Sequence, residues 1–362
     1  MRECDDKRYF KADAVFAASN SASGFKSYYD EVFKRSEFER LYIIKGGPGT
    51  GKSSFMKRVA EYSRACGYYV ESYRCSSDPE SLDGIIIDGR IAFLDGTAPH
   101  SFDAELVGAR DEIINLGEFW DSDKLAGRIG EIDTLSAKKK EAYIKGYRYL
   151  SGCGALDGIM GALIFPALRE KKLMGYVSRI LSEIPSSEGG KVTPALVDSV
   201  GMKGRVRFDS YEKCAEKLYS VSDFYGTAHI FLAALITAAK RKGIDMRISY
   251  DPIIPEKPDG VFFCDCATAF VKCEAGECEY DGAHRINMKR FLDKDALDSV
   301  KKEYRYDAKL YDALLASACE SFAEAGESHF KLEKIYSECM DFSAKERFTA
   351  SFCEMLGERL RR

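Results

Sequence analysis

A glycine-rich segment of eight residues limits what this chain can fold into more than any other feature of its sequence. It consists of Gly46, Gly47, Pro48, Gly49, Thr50, Gly51, Lys52 and Ser53, and it fits the pattern G-x-x-x-x-G-K-[ST]. A short apolar run at residues 41–44 precedes it, and apolar residues recur at helical spacing after it until Gly67. This order of strand, loop and helix predicts an α/β fold with a phosphate-binding loop.

Each part of the loop has an expected role in binding ATP and Mg²⁺. Glycine lets the backbone approach the phosphates closely, and the positive end of the following helix adds an electrostatic attraction. Lys52 is expected to contact the β- and γ-phosphates, and the hydroxyl of Ser53 to coordinate Mg²⁺. Ser54 is placed to assist at the α-phosphate. The alternative is a glycine-rich turn with a solvated lysine, and the flanking strand and helix argue against it.

A second apolar strand, expected at residues 90–95, ends in an acid. Its last residue, Asp95, is the candidate for the carboxylate that holds Mg²⁺ through water, the Walker B acid. An ordinary aspartate at the end of a strand is the alternative. His100 lies in the turn that follows and is a candidate to sense the γ-phosphate or to orient water, with a solvated or structural histidine as the alternative.

Asp78 is the candidate for the base that orients the attacking water. It follows the strand expected at residues 68–74, and strand ends at this edge of a doubly wound sheet face the ligand, which also places Ser77 and Asp83 there. The alternative is that residues 77–80 form only the cap and first turn of a helix. The chain contains no glutamine, so a Ras-like glutamine cannot position the attacking water. It also has no Asn-Lys-x-Asp motif for guanine, which favours ATP over GTP.

Four motifs lie close together in the first hundred residues. They are residues 45–53, the Cys-Ser-Ser-Asp segment at 75–78, the Ser-Leu-Asp-Gly segment at 81–84 and the Asp-Gly-Thr-Ala-Pro-His segment at 95–100. Together they resemble a little-characterised bacterial family of P-loop ATPases built from two related halves. The resemblance covers most of the chain and implies nucleotide use, but no particular substrate. The expected architecture is a duplicated P-loop NTPase fold with mostly parallel sheets, helices on both faces and helical insertions.

The sequence also contains an internal repeat. Residues 46–87 align with residues 222–263 at an offset of 176, which pairs Phe55 with Phe231, Gly67 with Gly243, Pro79 with Pro255, Glu80 with Glu256, Asp83 with Asp259 and Gly84 with Gly260. Residues 115–125 align with residues 287–297 at an offset of 172. The pattern indicates an ancient duplication, with an active half at residues 1–188 and a degenerate half at residues 189–362.

The second copy of the loop has lost the groups that bind phosphate. Ala228 and His229 stand where the first loop has its lysine and serine, or His229 and Ile230 if the alignment is shifted by one residue. Phe224 and Tyr225 replace glycines. In the ungapped alignment Val271 stands opposite the acid at position 95. One ATP site per chain is therefore expected, with the second half as a pseudo-NTPase that supports the first.

Charge gives no reason to expect a nucleic acid or a membrane as a partner. The formal net charge is −4 at pH 7, which provides no overall attraction to polyanions. Residues 131–150 show mixed helical spacings and are expected to form a projecting helical hairpin or lid. The lysine run at residues 138–140 is expected to be a solvated face rather than a nucleic-acid patch.

A cytoplasmic location is expected from the N-terminal segment and the cysteines. Residues 1–8 contain no apolar signal region, and the longest apolar run, residues 230–239, is too short to span a bilayer. The twelve cysteines then suggest reduced thiols. The spacing of Cys264, Cys266, Cys273 and Cys278 matches no common zinc ribbon, and two of them align with a strand, so buried free thiols are expected.

Three classes of function are compatible with these motifs. The intact set of Lys52, Ser53 and Asp95 favours an ATPase that couples Mg²⁺-dependent hydrolysis to movement between the halves. A kinase that transfers the γ-phosphoryl group to a small acceptor is second, although no arginine-rich lid is evident. A nucleotide-gated binding module with negligible turnover is third. Because no general base is evident, hydrolysis is expected to be slow, or to depend on a protein partner or on residues contributed by the other half.

Overall fold

The computed structural model describes Phe10 and residues 12–99, 101–185, 189–274, 280 and 282–361. The candidate residues His100 and Cys278 and part of the expected boundary between the halves, residues 186–188, lie outside these described residues.

The elements up to residue 185 are, in chain order, β1 (Val15–Phe16), β2 (Ala18–Ser21), β3 (Gly24–Ser27), α1 (Tyr29–Val32), β4 (Arg40–Lys45), α2 (Lys52–Ala65), β5 (Val70–Arg74), β6 (Leu82–Ile87), β7 (Ile91–Asp95), β8 (Asp111–Asn115), α3 (Ser122–Ala126), α4 (Ile129–Ile164) and α5 (Glu170–Ser182). Those that follow are β9 (Val192–Pro194), β10 (Asp198–Gly201), β11 (Gly204–Arg207), α6 (Ser210–Cys214), β12 (Lys217–Asp223), α7 (Ala228–Arg241), β13 (Met246–Tyr250), β14 (Pro258–Phe263), β15 (Thr268–Glu274), β16 (His284–Asn287), α8 (Lys294–Ser337) and α9 (Phe342–Leu360).

The first sheet has six strands in the order β1-β5-β6-β7-β4-β8. All are parallel except β6, which runs antiparallel to β5 and β7. Strand β4 lies between β7 and β8, and its residues 41–44 are fully buried, as expected for an interior strand. The strand predicted before the loop is therefore confirmed. Its pairing of Ile44 with Asp95 brings the loop and the end of β7 to the same edge of the sheet.

The second sheet has the order β9-β13-β14-β15-β12-β16, which repeats the order of the first. Its central strand β14 is again antiparallel to both neighbours. The pairing of β5 with β6 is irregular between Tyr73 and Arg74, and that of β13 with β14 between Ser249 and Tyr250, 176 positions later. The chain is therefore α/β, with two mixed and mostly parallel sheets.

The two sheets face each other across a shared core. Successive residues of a strand point to opposite faces, so Leu41 and Ile43 pack in a cluster that includes Val271 of the second sheet. Tyr42 points outward and packs edge to face with Phe352 of α9. Each sheet thus has an inner face toward the other sheet and an outer face covered by helices.

The last helix of each half covers the sheet of the other half. Helix α9 packs with α2 on the outer face of the first sheet, and α5 packs with α7 on the second. Two isolated bridges mark these crossings: Trp120 pairs with Met340, and Leu168 pairs with Leu292. Trp120 and Leu292 are 172 positions apart, and so are Leu168 and Met340. The two bridges are therefore equivalent, and each half extends its last helix onto the other half.

Helices α4 and α8 pack antiparallel to each other. A Cβ atom at Gly146 would lie 2.6 Å from the ring of Phe322, so the small residue permits the close approach. Near the ends of the pair, Arg128 donates to Glu338 at 2.7 Å. The prediction of a helical hairpin within residues 131–150 is therefore wrong, because these residues belong to one continuous helix whose partner is α8.

The structure revises two expectations from the sequence, one about apolar segments and one about the cysteines. Within the described residues, Ile129–Ala167 is long and apolar enough to cross a membrane by length and composition, a weak indication because core helices of soluble proteins meet the same criteria. Cys264 and Cys266 lie in a 3-10 turn and not on a strand, since β14 ends at Phe263 and Ala267 takes a left-handed conformation. Both thiols are free, whereas Cys273 is disulfide-bonded.

Candidate functional site

The glycine-rich loop connects β4 to α2 at the edge of the first sheet where β4 and β7 end. Its φ angles are positive at Gly46, Gly49 and Gly51 (142°, 70° and 78°), a conformation that glycine adopts at little cost. A side chain at Gly49 would also clash with the backbone oxygen of Glu333 in α8. The loop therefore depends on glycine for its dihedral angles and for its contact with the second half.

Lys52 and Asp95 lie next to each other at this edge. The ammonium of Lys52 donates to the backbone oxygens of Gly46 and Gly47, both at 2.9 Å, and lies 3.6 Å from the carboxylate of Asp95. Burial raises the pKa of Asp95, and Lys52 and the hydrogen bonds from Thr97 offset only part of that rise. A phosphate oxygen would offer Lys52 a charged acceptor in place of the neutral loop carbonyls.

The two serines after the lysine also have defined partners. The hydroxyl of Ser53 accepts from the backbone N–H of Leu82 at 3.0 Å. The hydroxyl of Ser54 donates to the Gly51 oxygen at 2.9 Å and accepts from the ammonium of Lys345 at 2.8 Å. Lys345 is buried on α9, and burial lowers its pKa. Sequence analysis missed this lysine, since nothing local shows that α9 packs on the first half.

Asp78 lies in a turn between β5 and β6. Its backbone oxygen accepts from the N–H of Ser81 at 2.9 Å, and its Oδ2 accepts from the Ser81 hydroxyl at 2.7 Å. The alternative prediction, a helix cap and first turn at residues 77–80, is wrong because β6 begins at Leu82 and leaves room only for a turn. Oδ1 of Asp78 is buried and has no hydrogen-bond partner among the described residues.

Residues of the long helices face the loop across a cavity of about 940 Å³. Lys139, Tyr143 and Tyr147 come from α4, one helical turn apart, and His329 and Glu333 come from α8. The prediction that the lysine run is a solvated face is correct for its two outer members and wrong for Lys139, which the helical period turns inward. The sequence signal for this inward face was the spacing of Lys139, Tyr143 and Tyr147, which lie four positions apart.

A hairpin of the second half closes another side of the cavity. Met202, between β10 and β11, donates its backbone N–H to the oxygen of Ser77 at 2.9 Å, and the Ser199 hydroxyl donates to the oxygen of Ser76 at 2.9 Å. A side chain at Gly201 would clash with the Ser76 oxygen, so glycine permits this contact. The cavity over the first loop is therefore built from both halves.

The second loop contains its own anion. Oδ1 of Asp223, at the end of β12, accepts from the backbone N–H of Ala228, the first residue of α7, at 2.8 Å. The Thr227 hydroxyl donates to the Phe224 oxygen at 2.7 Å. A helix N-terminus attracts an anion, and the carboxylate of Asp223 takes that position at the start of α7.

The counterpart of Asp95 is Lys272, and the assignment of Val271 was wrong. Gly84 pairs with Leu94 in the first sheet, and Gly260 pairs with Val271 in the second, so the strands align with Lys272 opposite the acid. The ungapped alignment slipped by one residue because the turn before β15 is longer than the turn before β7. Lys272 forms an ion pair at 2.9 Å with Asp251. An ion pair of the chain itself therefore lies at the position in the second sheet that corresponds to Asp95 in the first.

Comparisons of the chain with models of protein families, with curated proteins and with solved structures found no match. Within the part of the chain that the structure describes, no cluster of three or more His, Cys, Asp or Glu side chains is arranged to hold a metal ion. Mg²⁺ in phosphate-transfer sites commonly relies on one or two protein oxygens together with substrate phosphates and water. Ser53 and Asp95 provide oxygens of that kind.

Proposed function

We propose that the chain is a Mg²⁺-dependent ATP-binding P-loop NTPase with one nucleotide site, formed by residues 46–54. The observation that carries the proposal is the position of Lys52 and Asp95, which lie 3.6 Å apart beside the loop and line the cavity of about 940 Å³. Ser53 at the start of α2 adds the hydroxyl that a metal requires. An ammonium, a carboxylate and a hydroxyl around a loop of backbone amides suit a triphosphate with its metal.

The proposed reaction is hydrolysis of the γ-phosphoryl group. The oxygen of a water molecule attacks the γ-phosphorus, the bond to the bridging oxygen of the β-phosphate breaks, and its electron pair stays on ADP. The water releases a proton, so the products are ADP, inorganic phosphate and H⁺. Lys52 stabilises the charge that develops on the β- and γ-oxygens, and bound Mg²⁺ would neutralise the same oxygens. Ser53 and Asp95 would hold the ion.

We further propose that the two halves are copies of a P-loop NTPase fold and that the second has lost its site. The equal strand orders and the reciprocal bridges support the duplication. The carboxylate of Asp223 at a helix N-terminus and the ammonium of Lys272 support the loss of binding chemistry. Because α8 contacts the loop at Gly49, movement of the loop would be transmitted to the second half. We favour a function in the cytoplasm in which ATP hydrolysis is coupled to movement between the two halves.

The test is binding and turnover of ATP with Mg²⁺ by purified protein. Lys52→Ala is expected to lower ATP affinity at least tenfold, since charge-assisted hydrogen bonds contribute about 1.5–3 kcal/mol. Asp95→Asn is expected to abolish most phosphate release while the unliganded protein unfolds at nearly the same temperature. Lys57→Ala, at an exposed position on α2, is the matched control. Equal ATP affinity and turnover in all four proteins would refute the proposal.

A phosphotransferase is the second candidate, and two observations favour it. The cavity extends beyond the loop to α4 and α8, and Oδ1 of Asp78 is buried without a partner in the described structure. A carboxylate with a free oxygen could accept a proton from a small hydroxyl acceptor. An acceptor that yields ADP without inorganic phosphate would support transfer. Phosphate release equal to ADP formation under all conditions would support hydrolysis.

A further inference from the structure

One lysine of the long helices faces the phosphate-binding loop. Lys139 lines the same cavity as Lys52 and Asp95, whereas its neighbours Lys138 and Lys140 are exposed. Tyr143 and Tyr147, one and two turns further along α4, line the cavity too. The direction of Lys139 is therefore fixed by the face that α4 presents to the loop.

The partners of Lys139 leave its charge without a balancing carboxylate. Its ammonium lies 3.2 Å from Nδ1 of His329 and forms no ion pair within the described part of the chain. Among the carboxylates, Glu333 has the strongest electrostatic effect on Lys139. Its carboxylate, however, pairs with the other ring nitrogen of His329 at 3.5 Å. Burial lowers the pKa of Lys139, Cys75 and Glu333 offset part of that fall, and the nearby ammonium of Lys52 lowers the pKa again.

Lys52 and Lys139 face one cavity and repel each other, a repulsion that Asp95 and Glu333 offset in part and that an anion between the two lysines would offset further. A triphosphate carries such an anion at its γ-end, where Lys52 is expected to bind. The negative charge on the γ-phosphoryl oxygens is the charge that a second cation stabilises during phosphoryl transfer.

The second half provides an internal comparison. Gly154 contacts Ala22 in the way that Gly326 contacts Met202, so α4 and α8 correspond at an offset of 172 in this region. At that offset Lys139 corresponds to Tyr311. The half that lacks the loop lysine and the loop hydroxyl therefore also lacks the helix lysine. The three groups are present together in one half and absent together in the other.

We propose that Lys139 is a further catalytic residue of the first loop, a cation supplied by α4 that contacts the γ-phosphoryl oxygens of ATP. The inference rests on the proposed function of that loop. In the hydrolysis described above, Lys139 forms and breaks no covalent bond. It donates hydrogen bonds to the γ-phosphoryl oxygens while the bond to the β-phosphate breaks, and His329 holds its side chain in place.

The test compares nucleotides with and without a γ-phosphoryl group. Affinities for ADP and for the non-hydrolysable analogue AMP-PNP, both with Mg²⁺, are measured by calorimetry for the parent and for Lys139→Met, Lys139→Arg, Lys138→Met and Lys140→Met. We expect Lys139→Met to lose about tenfold or more in AMP-PNP affinity and less than twofold in ADP affinity. The arginine variant should recover part of the loss, and both exposed controls should match the parent. Phosphate release should fall about 100-fold in Lys139→Met.

The outcomes separate the two proposals. If the parent binds AMP-PNP and Lys139→Met binds it equally well with unchanged turnover, the role of Lys139 is refuted and the loop remains an ATP site. If the parent binds neither nucleotide, the proposed function fails and the role of Lys139 fails with it. Should Lys139→Met not fold, Lys139→Gln, which keeps a polar side chain but removes the charge, carries the same expectation. Equal affinities in that variant and the parent refute the role.

Discussion

Replacing Lys272 with methionine is expected to destabilise the folded protein by about 3 kcal/mol at neutral pH. The ammonium of Lys272 lies 2.9 Å from Oδ2 of Asp251, and the two side chains are only 16% and 14% exposed. Removal of one partner from a buried pair typically costs about 3–5 kcal/mol, because the other charge stays buried without compensation. Oδ1 of Asp251 still accepts from the backbone N–H groups of Ile253 and Ile254, which places the expected loss at the lower end.

The loss should depend on pH in a defined direction. Burial alone would raise the pKa of Asp251, but Lys272, Arg205 and the backbone hydrogen bonds hold that pKa well below its usual range. The contribution of Asp251 to parent stability is therefore fully present above the unfolded pKa, about 3.9, and is lost as the pH falls through the folded value. In Lys272→Met the effect of burial on Asp251 is no longer offset by Lys272, so the pKa of Asp251 rises. Lowering the pH therefore destabilises the variant less than it destabilises the parent. The difference between the two should therefore be smaller at pH 3 than at pH 7.5, because it changes only in the acid range around and below the unfolded pKa.

Urea unfolding followed by circular dichroism at both pH values measures this difference. Lys240→Met, at an exposed position on α7, is the matched control and should change the free energy of unfolding by less than about 0.5 kcal/mol. Adding Asp251→Asn to Lys272→Met removes the unpaired charge but keeps an acceptor for the backbone, and should recover about half of the loss. A loss below about 1 kcal/mol at pH 7.5, unchanged at pH 3, would refute the role given to this pair.

Three further changes test the site. Gly49→Ala, which introduces a clash with the Glu333 oxygen, should lower the thermal midpoint and weaken AMP-PNP binding more than tenfold; calorimetry that finds both unchanged would show that the loop does not depend on this contact in solution. Lys345→Met removes the cation bound to Ser54 and should weaken ADP binding about tenfold, and undiminished ADP affinity would contradict a place near the α-phosphate. Asp78→Asn should lower phosphate release about 10²-fold with ATP affinity unchanged, and full activity would reduce Asp78 to a turn residue.

The local parts of the site could be predicted from the sequence because their signals are local. The apolar run at residues 41–44, the glycines of the loop and the helical spacing from Phe55 onward specify β4, the loop and α2 without reference to the rest of the chain. Asp95 ends a strand, as expected from the apolar residues before it. Helix α7 begins at Ala228 as α2 begins at Lys52, so the ungapped alignment placed Ala228 and His229 opposite the lysine and serine of the first loop.

The parts that depend on exchange between the halves could not be predicted. Lys345 approaches Ser54 only because α9 packs on the first sheet, and no pattern in either segment encodes that choice. Lys139 was hidden in a run of three lysines, where composition indicates solvent, and only its spacing to Tyr143 indicates an inward face. Lys272 was missed by one position, because a turn of different length shifts the register of the following strand without changing its apolar character.

The number of nucleotides bound per chain tests the central claim most directly. Calorimetric titration of the full chain with AMP-PNP and Mg²⁺ should give one site, lost in Lys52→Ala and retained in His229→Ala, because the second loop already holds the carboxylate of Asp223 at its helix N-terminus. Two sites of similar affinity, or one site that persists in Lys52→Ala, would contradict the account.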